Sequence, residues 1–357
     1  MYRTLIINPG STSTKIAVFD DEKEICESSL SHDQETINQF EHIVDQVDFR
    51  CGLIFEDLEK AGIELSSLSA VVGRGGMVRP IPSGTYRVND QMIEDLHNNT
   101  NGEHASNLGA ILARKIADPL GIPSFIVDPV VVDEMDEVAR LSGHPDLPRL
   151  SILHALNQKA VSRRYAKENS LKYEEINVIV AHMGGGISVT SHKKGRMVDT
   201  NNALGGDGPF SPERAGGVPS YSLAKLCFEG VCNERQVLRM LVGKGGYVSY
   251  LGTNDGREVA CMVEDGDKKA ALVQEALAYQ VSKEIGANAA VLCGDVDAII
   301  LTGGLAHNKD ITGYISEHVS FIAPVVVYPG ENEMEALNEG GLRILRGEED
   351  AKEYLAN

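Results

Sequence analysis

Two stretches about half a chain apart follow one design: an apolar strand runs into a tight polar or glycine-rich turn and returns as a second strand. In the first, residues 4–7 read as a short buried strand, Asn8-Pro9-Gly10-Ser11-Thr12-Ser13 as the turn, and residues 15–19 as the returning strand. In the second, residues 178–181 are the strand, His182-Met183-Gly184-Gly185-Gly186 the turn, and residues 187–191 the return. A Lys194-Gly195 hairpin turn and a third strand, Met197-Val198-Asp199, follow there. A shared layout with so little residue identity is a structural repeat, and it demands two similar α/β halves.

The intervening pattern agrees with alternating helices and strands. Ile37, Phe40, Val44, Val47, Leu53, Ile54 and Leu58 keep helical spacing, which predicts mostly helix over 33–60. A strand over 68–72 ends in Gly73-Arg74-Gly75-Gly76, a helix spans 106–120, and a strand over 124–127 ends at Asp128. Helices are predicted over 151–168 and 268–292, strands over 298–301 and 323–328, and a final helix after residue 333. Pro145 and Pro148 mark a boundary, giving one domain from 1–147 plus a C-terminal helix at about 334–357, and a second from 148–333.

Composition removes several classes of function. A formal net charge of −19 argues against nucleic acid or an anionic membrane as the main partner. Any anionic substrate must then be met by local cations and backbone N–H groups. Six scattered cysteines without a C-x-x-C pair are expected to stay reduced in the cytosol. The N-terminus does not read as a signal peptide, and the most apolar later stretch, 287–301, is interrupted by Asp295 and Asp297. A cytoplasmic, soluble protein with no membrane partner is the expectation.

Three turns place glycine after an apolar strand: Asn8 to Ser13, Met183 to Gly186, and Gly303-Gly304. Convergent amides free of side-chain bulk bind phosphate, so three such turns in a repeat point to a nucleotide cleft between the domains. The first turn lacks the second glycine of a P-loop and continues as strand, and no G-x-G-x-x-G opens a helix after a strand.

The segment Asn8-Pro9-Gly10-Ser11-Thr12-Ser13-Thr14-Lys15 resembles the N-terminal signature of the acetate and butyrate kinase family. His182-Met183-Gly184-Gly185-Gly186 resembles that family's second phosphate loop, and the likeness covers essentially the whole chain. It implies an α/β, two-domain actin-like fold of ribonuclease-H-like topology, with a duplicated βββαβαβα core and an interdomain nucleotide cleft. It also implies ATP-dependent phosphorylation of a short-chain fatty acid. The proline of the first motif, the triple glycine of the second and the compact length favour butanoate. Alternatives are a branched-chain acid, acetate or propionate. ATP and Mg²⁺ are the implied cofactors, and a homodimer or higher homo-oligomer is the family expectation.

Phosphoryl transfer to a carboxylate needs no strong base, because the acceptor is already an anion; it needs charge stabilisation. By resemblance Arg74 pairs with the substrate carboxylate, with His104 on the same substrate side, and Arg214 contacts the transferring phosphoryl group. His154 and His182 complete the catalytic set with Asp128, a carboxylate at the C-terminal edge of a strand. Asn8, Asp128 and Glu333 resemble the magnesium-side residues, although Glu331 and Glu335 crowd the same stretch. The phosphate-binding set is Asn8, Gly10, Ser11, Ser13, Lys15, His182, Gly184, Gly185 and Gly186, while Gly303, Gly304 and Asn308 resemble the adenosine loop. Gly185 stands where acetate kinases carry an asparagine. The acyl pocket has no motif; Pro82 and Val130 are candidates.

Two other classes use the same architecture. An actin-like or chaperone-like ATPase would leave Arg74 and Arg214 without a role. A sugar kinase would need a carboxylate base for a hydroxyl, and Asp128 could serve.

Overall fold

The computed structural model describes residues 1–205 and 207–355. Its strands are β1 (Arg3–Pro9), β2 (Ser13–Asp20), β3 (Lys23–Ser31), β4 (Ala70–Arg74), β5 (Thr85–Arg87), β6 (Ser124–Val127), β7 (Asn177–Met183), β8 (Ile187–Lys193), β9 (Arg196–Thr200), β10 (Ala298–Gly303), β11 (Val325–Pro329) and β12 (Lys352–Glu353). The helices are α1 (Gln34–Ile37), α2 (Val47–Lys60), α3 (Asp90–His97), α4 (Asn107–Ala117), α5 (Ala155–Glu168), α6 (Ser220–Phe228), α7 (Glu234–Leu241), α8 (Gly246–Leu251), α9 (Gly256–Glu264), α10 (Lys268–Val291), α11 (Lys309–Val319) and α12 (Glu333–Leu345).

The chain divides into one compact unit of Met1–Val132 with Asn332–Asn357, and a second of Asp133–Glu331. The first division falls earlier than the Pro145–Pro148 stretch, for a local reason. The segment after Val132 is tied to β9, with Asp136 N donating to Val198 O and Glu134 accepting from both Met197 N and the buried Lys159.

In the first unit seven strands run in the order β12-β5-β6-β4-β1-β2-β3. In the second, five run β11-β10-β7-β8-β9. The common order is clear once β6, β4, β1, β2 and β3 are set against β11, β10, β7, β8 and β9. Each core has three parallel strands and an antiparallel hairpin pair, so the expected duplicated βββαβαβα core is present.

Each sheet is buried on both faces, which is why its central strands read as apolar runs. In the first unit Leu5, Ile7, Val18 and Val71 pack with Ile54 and Leu58 of α2 and Leu108, Leu112 and Ile116 of α4. The opposite face receives α12 at close range. A Cβ on Gly340 would lie 2.5 Å from Val127 Cγ2, and one on Gly341 2.7 Å from Val72 Cγ2, so the adjacent glycines bring that helix onto β4 and β6. In the second unit Ile179, Val189, Ile299 and Leu301 meet Leu277, Val281 and Ile285 of α10 and Ile311 and Ile315 of α11. Its other face packs on Val161 and Ala166 of α5. Each such side chain contributes about 1.5–3 kcal/mol of burial.

Several expected elements differ at their ends. The helix predicted over 33–60 is broken into α1, a 3-10 turn (Ile43–Gln46) and α2. Asp33 caps a single turn, and Asp45 and Glu103 then accept from the amides of His42 and Ile43, which starts a new helix. The helix expected from 151 begins at Ala155, and the strand expected from 323 begins at Val325. The C-terminal helix stops at Leu345, and the chain returns as β12 beside β5. The last two residues of the expected 334–357 stretch lie outside the described residues.

Candidate active site

In the first unit the functional side chains gather at the C-terminal ends of three parallel strands. Register places Ile7 beside Gly73 and Arg74 beside Val127, so Asn8, Arg74 and Asp128 sit at neighbouring strand ends. Glycine allows this crowding. A Cβ on Gly73 would lie 2.1 Å from Gly109 O, and one on Gly76 2.6 Å from Asn107, so α4 begins hard against the strand end that carries Arg74.

Arg74, Asn8 and Glu333 form one cluster. Asn8 Nδ2 donates to Glu333 Oε2 at 2.6 Å, and Arg74 Nη1 donates to Asn8 Oδ1 and Glu333 Oε2, both at 3.2 Å. Arg74 is tied through Nη1, one of the nitrogens of a guanidinium that carries five N–H donors in all. Glu333 opens α12, where the helix dipole favours a carboxylate. Of the three crowded glutamates, Glu333 is therefore the one beside Asn8. Asp128 is buried with a left-handed φ of 39°, a conformation that costs on the order of 1 kcal/mol. Its Oδ1 accepts from Ser83 Oγ at 2.6 Å and Gly84 N at 2.7 Å, which holds it there. Lys15 lies on β2 in register with Asn8 and is exposed, as is Ser11. His104 is exposed, with Nδ1 accepting from Ser106 N in the turn before α4.

Arg50 carried no signal in the sequence. This residue of α2 is 1% exposed, and its guanidinium sits under the first turn. It donates to the carbonyls of Gly10, Ser11 and Ser13 and to Thr14 Oγ1. A helical arginine whose one partner nearby in sequence is Gln46, in the turn before α2, reads in sequence as a solvated residue.

In the second unit His182, one residue before the end of β7, stacks on His154, with ring centroids 3.8 Å apart and planes 7° from parallel. His182 Nδ1 lies 2.8 Å from Asn157 Oδ1, and His182 Nε2 is 3.5 Å from Glu331 Oε1. Asn157 and Gln158 were missed by sequence reasoning. They follow His154 at helical spacing on the face that carries Val161, and polar residues on an apolar stripe were the available signal.

The triple glycine and Arg214 come together. A Cβ on Gly186 would lie 1.9 Å from Arg214 Nη1, so the guanidinium rests directly on that glycine. Arg214 donates to Ala203 O, and Ser211 Oγ ties the loop to Gly185 O at 2.6 Å. Burial pulls the Arg214 guanidinium below its ordinary range, and its buried Nε has no hydrogen-bond partner among the described residues. Gly184 and Gly185 open into a cavity of about 900 Å³, also lined by Asn254, Gly256, Gly304, Leu305, Asn308 and Glu331. Gly303, at φ 88°, passes 2.4 Å from Met183 O at the position its Cβ would take, which lets β10 end beside the histidine turn.

Among the described residues no group of three His, Cys, Asp or Glu could hold a metal ion. None of the described helices is long and apolar enough to cross a membrane. All six cysteines are free.

Residues 149–334 match the acetokinase family. Over 354 residues the chain is 59% identical to butyrate kinase 1 of Clostridium acetobutylicum, covering 99% of this chain and 100% of that one. Among solved structures, the acetate kinase of Porphyromonas gingivalis superposes with a TM-score of 0.78 at 20% identity, covering 97% of this chain and all of that one. The acetate kinase of Entamoeba histolytica gives 0.77 at 17% identity, covering 96% and 100%. At such identities the structural likeness carries the fold alone, and the fold is the actin-like one.

Proposed function

The chain belongs to the acetokinase family, and on that premise we propose that it transfers the terminal phosphoryl group of ATP to butanoate, giving butanoyl phosphate and ADP. It is a phosphotransferase with a carboxyl group as acceptor. The full-length likeness to the Clostridium enzyme carries the reading.

The chemistry assigns the residues. In the second unit the 900 Å³ cavity beside Gly304 and Asn308 takes the nucleoside, supported by its nucleotide-like size and its continuity with Gly184 and Gly185. The amides of Gly184 to Gly186 take phosphate oxygens, and Arg214, half-buried with its Nε unpartnered among the described residues, takes the transferring phosphoryl group. His182 and His154 lie beside it as polar partners of that group. In the first unit Arg74 takes the carboxylate of the acid, and the turn carrying Gly10, Ser11 and Ser13, with Lys15, offers further phosphate contacts. The acceptor oxygen attacks in line, the phosphorus–oxygen bond to ADP breaks, and no proton needs to be removed.

Mg²⁺ supplies charge neutralisation on the ATP phosphates. Asn8, Glu333 and Asp128 are its candidate contacts, and the fit is to an outer shell. Asn8 Oδ1 and Glu333 Oε2 are already engaged by Arg74, and Asp128 Oδ1 by Ser83 and Gly84, which suits a cation that keeps several waters. The six free cysteines support a reducing, cytoplasmic setting. Self-association into a homodimer is supported by Tyr221 and Phe228 of α6, which are 75% and 91% exposed.

The test is acyl-hydroxamate formation from ATP, Mg²⁺ and each of acetate, propionate, butanoate and isobutanoate. The highest kcat/KM is expected with butanoate. Product from none of the acids would remove the carboxylate kinase assignment, and a clear preference for another acid would remove butanoate alone.

A further inference from the structure

Stacked imidazoles can serve phosphoryl transfer only if each presents a defined nitrogen, and a line of buried polar groups in the second unit fixes them. Main-chain carbonyls only accept, so they settle the amide orientations. Gln158 Nε2 donates to Ser188 O at 3.2 Å, which puts the amide oxygen at Oε1, 3.0 Å from His192 Nε2. The proton of His192 is therefore on Nε2. Burial, with Lys159 and Arg163 nearby, holds His192 well below its ordinary pKa, so the ring is neutral and its Nδ1 accepts from Tyr173 OH at 2.7 Å.

The line continues toward the site. Gln158 Nε2 also donates to Ser188 Oγ at 2.7 Å, and His154 N reaches the same oxygen at 3.4 Å. With both lone pairs of the hydroxyl engaged, its own proton is directed at His154 Nδ1, 2.9 Å away. The neighbouring ring is set by the same logic. Asn157 Nδ2 donates to Glu331 O at 2.8 Å, so Oδ1 faces His182 and the proton of His182 is on Nδ1.

We propose that Gln158, acting through the Ser188 hydroxyl, is a positioning residue that holds His154 as its Nε2–H tautomer against the Nδ1–H tautomer of His182. His154 then offers a donor Nε2 beside a His182 ring whose Nδ1–H is held by Asn157. The consequence for rate rests on the functional reading that puts both histidines in the catalytic machinery; the tautomers themselves do not.

Long-range ¹H–¹⁵N correlation spectra of the ¹⁵N-labelled full-length protein near neutral pH test this, with Gln158→Glu and Ser188→Ala beside the wild type. The wild type should show His154 protonated on Nε2. A glutamate cannot donate, so in Gln158→Glu the Ser188 hydroxyl turns toward it and the His154 proton moves to Nδ1. kcat should fall roughly tenfold or more, as for other catalytic histidines in the wrong tautomer, with KM for ATP and butanoate held. If the buried glutamate prevents folding, Ser188→Ala removes the bias with almost no change in volume and should leave His154 in mixed tautomers. A wild-type His154 protonated on Nδ1, or an Nε2–H pattern unchanged in the variants that fold, overturns the proposal. A shifted tautomer with unchanged kcat supports the positioning and removes His154 from the catalytic machinery.

Discussion

Arg50 Nη1 donates to the main-chain carbonyl of Gly10 at 2.8 Å, from a helix forty residues further along the chain. Its Nη2 reaches Ser11 O at 3.2 Å, and Nη1 also reaches Ser13 O at 3.0 Å. In a trans peptide the N–H points opposite the C=O, so drawing the carbonyls of Gly10 and Ser11 inward turns the amides of Ser11 and Thr12 outward. A buried cation thus shapes an outward, anion-seeking turn. Burial lowers its pKa to about 10, which leaves it charged at neutral pH.

Arg50→Met should strip partners from three carbonyls at once and destabilise the protein by about 3 kcal/mol or more. Arg50→Lys keeps the charge but loses the planar fork, and about half that loss is expected. Urea unfolding midpoints measure both, and a wild-type midpoint for Arg50→Met would show that the turn holds itself.

The same layer makes the fold sensitive to acid. Thr14 Oγ1 accepts from Arg50, so its proton goes to His32 Nε2 at 2.9 Å. Burial, with Arg50 nearby, pushes the His32 pKa down to about 4. The unfolded chain, titrating near 6.5, then binds more protons than the folded one between these values. This contribution is complete above pH about 6.5 and is lost as the pH falls toward 4. Between pH about 7.5 and pH about 5 the wild type should lose about 2 kcal/mol through His32. His192, also held neutral by burial, adds to the loss in the same window. His32→Gln should therefore shrink the loss without abolishing it; equal acid sensitivity in the two proteins would assign the effect elsewhere.

The sequence made the two strand–turn–strand units legible because buried parallel strands read as apolar runs and their turns as glycine. The helix α10 was legible for its length, and in the structure Asp267 caps it. The edge strand β3 was not, because Lys23, Glu24, Glu27 and three serines leave it no apolar run. The site divided the same way. Arg74 and His182 lie at glycine turns, and Arg214 was found by resemblance to the family. Arg50, Asn157 and Gln158 are ordinary helical polar residues whose meaning lies in partners remote in sequence.

Glycine at 186 and at 185 should differ sharply when replaced. A methyl on Gly186 would occupy the place of the Arg214 Nη1 atom, whereas one on Gly185 would meet nothing nearer than Glu213 Oε1 at 3.8 Å. Gly186→Ala is expected to displace the guanidinium and lower kcat roughly 10²-fold or more. Gly185→Ala should keep the wild-type melting temperature and most of its turnover. Equal activity in the two variants would mean that Arg214 acts from another position.

The two arginines should separate binding from chemistry. Arg74 is held by Asn8 and by Glu333, the latter at 3.1 Å, so its head group is fixed before any substrate arrives. Its loss removes an interaction made equally in the ground and transition states. Arg74→Ala should therefore raise KM for butanoate about tenfold or more while KM for ATP stays put. Arg214 gains its full worth only as charge develops on the transferring phosphoryl group. Arg214→Ala should cost roughly 10³-fold in kcat with ATP affinity nearly unchanged. Steady-state kinetics with each substrate varied in turn, together with ATP titration by calorimetry, separates the cases. A selective loss of ATP binding in Arg74→Ala, or an unchanged kcat in Arg214→Ala, would exchange or remove these roles.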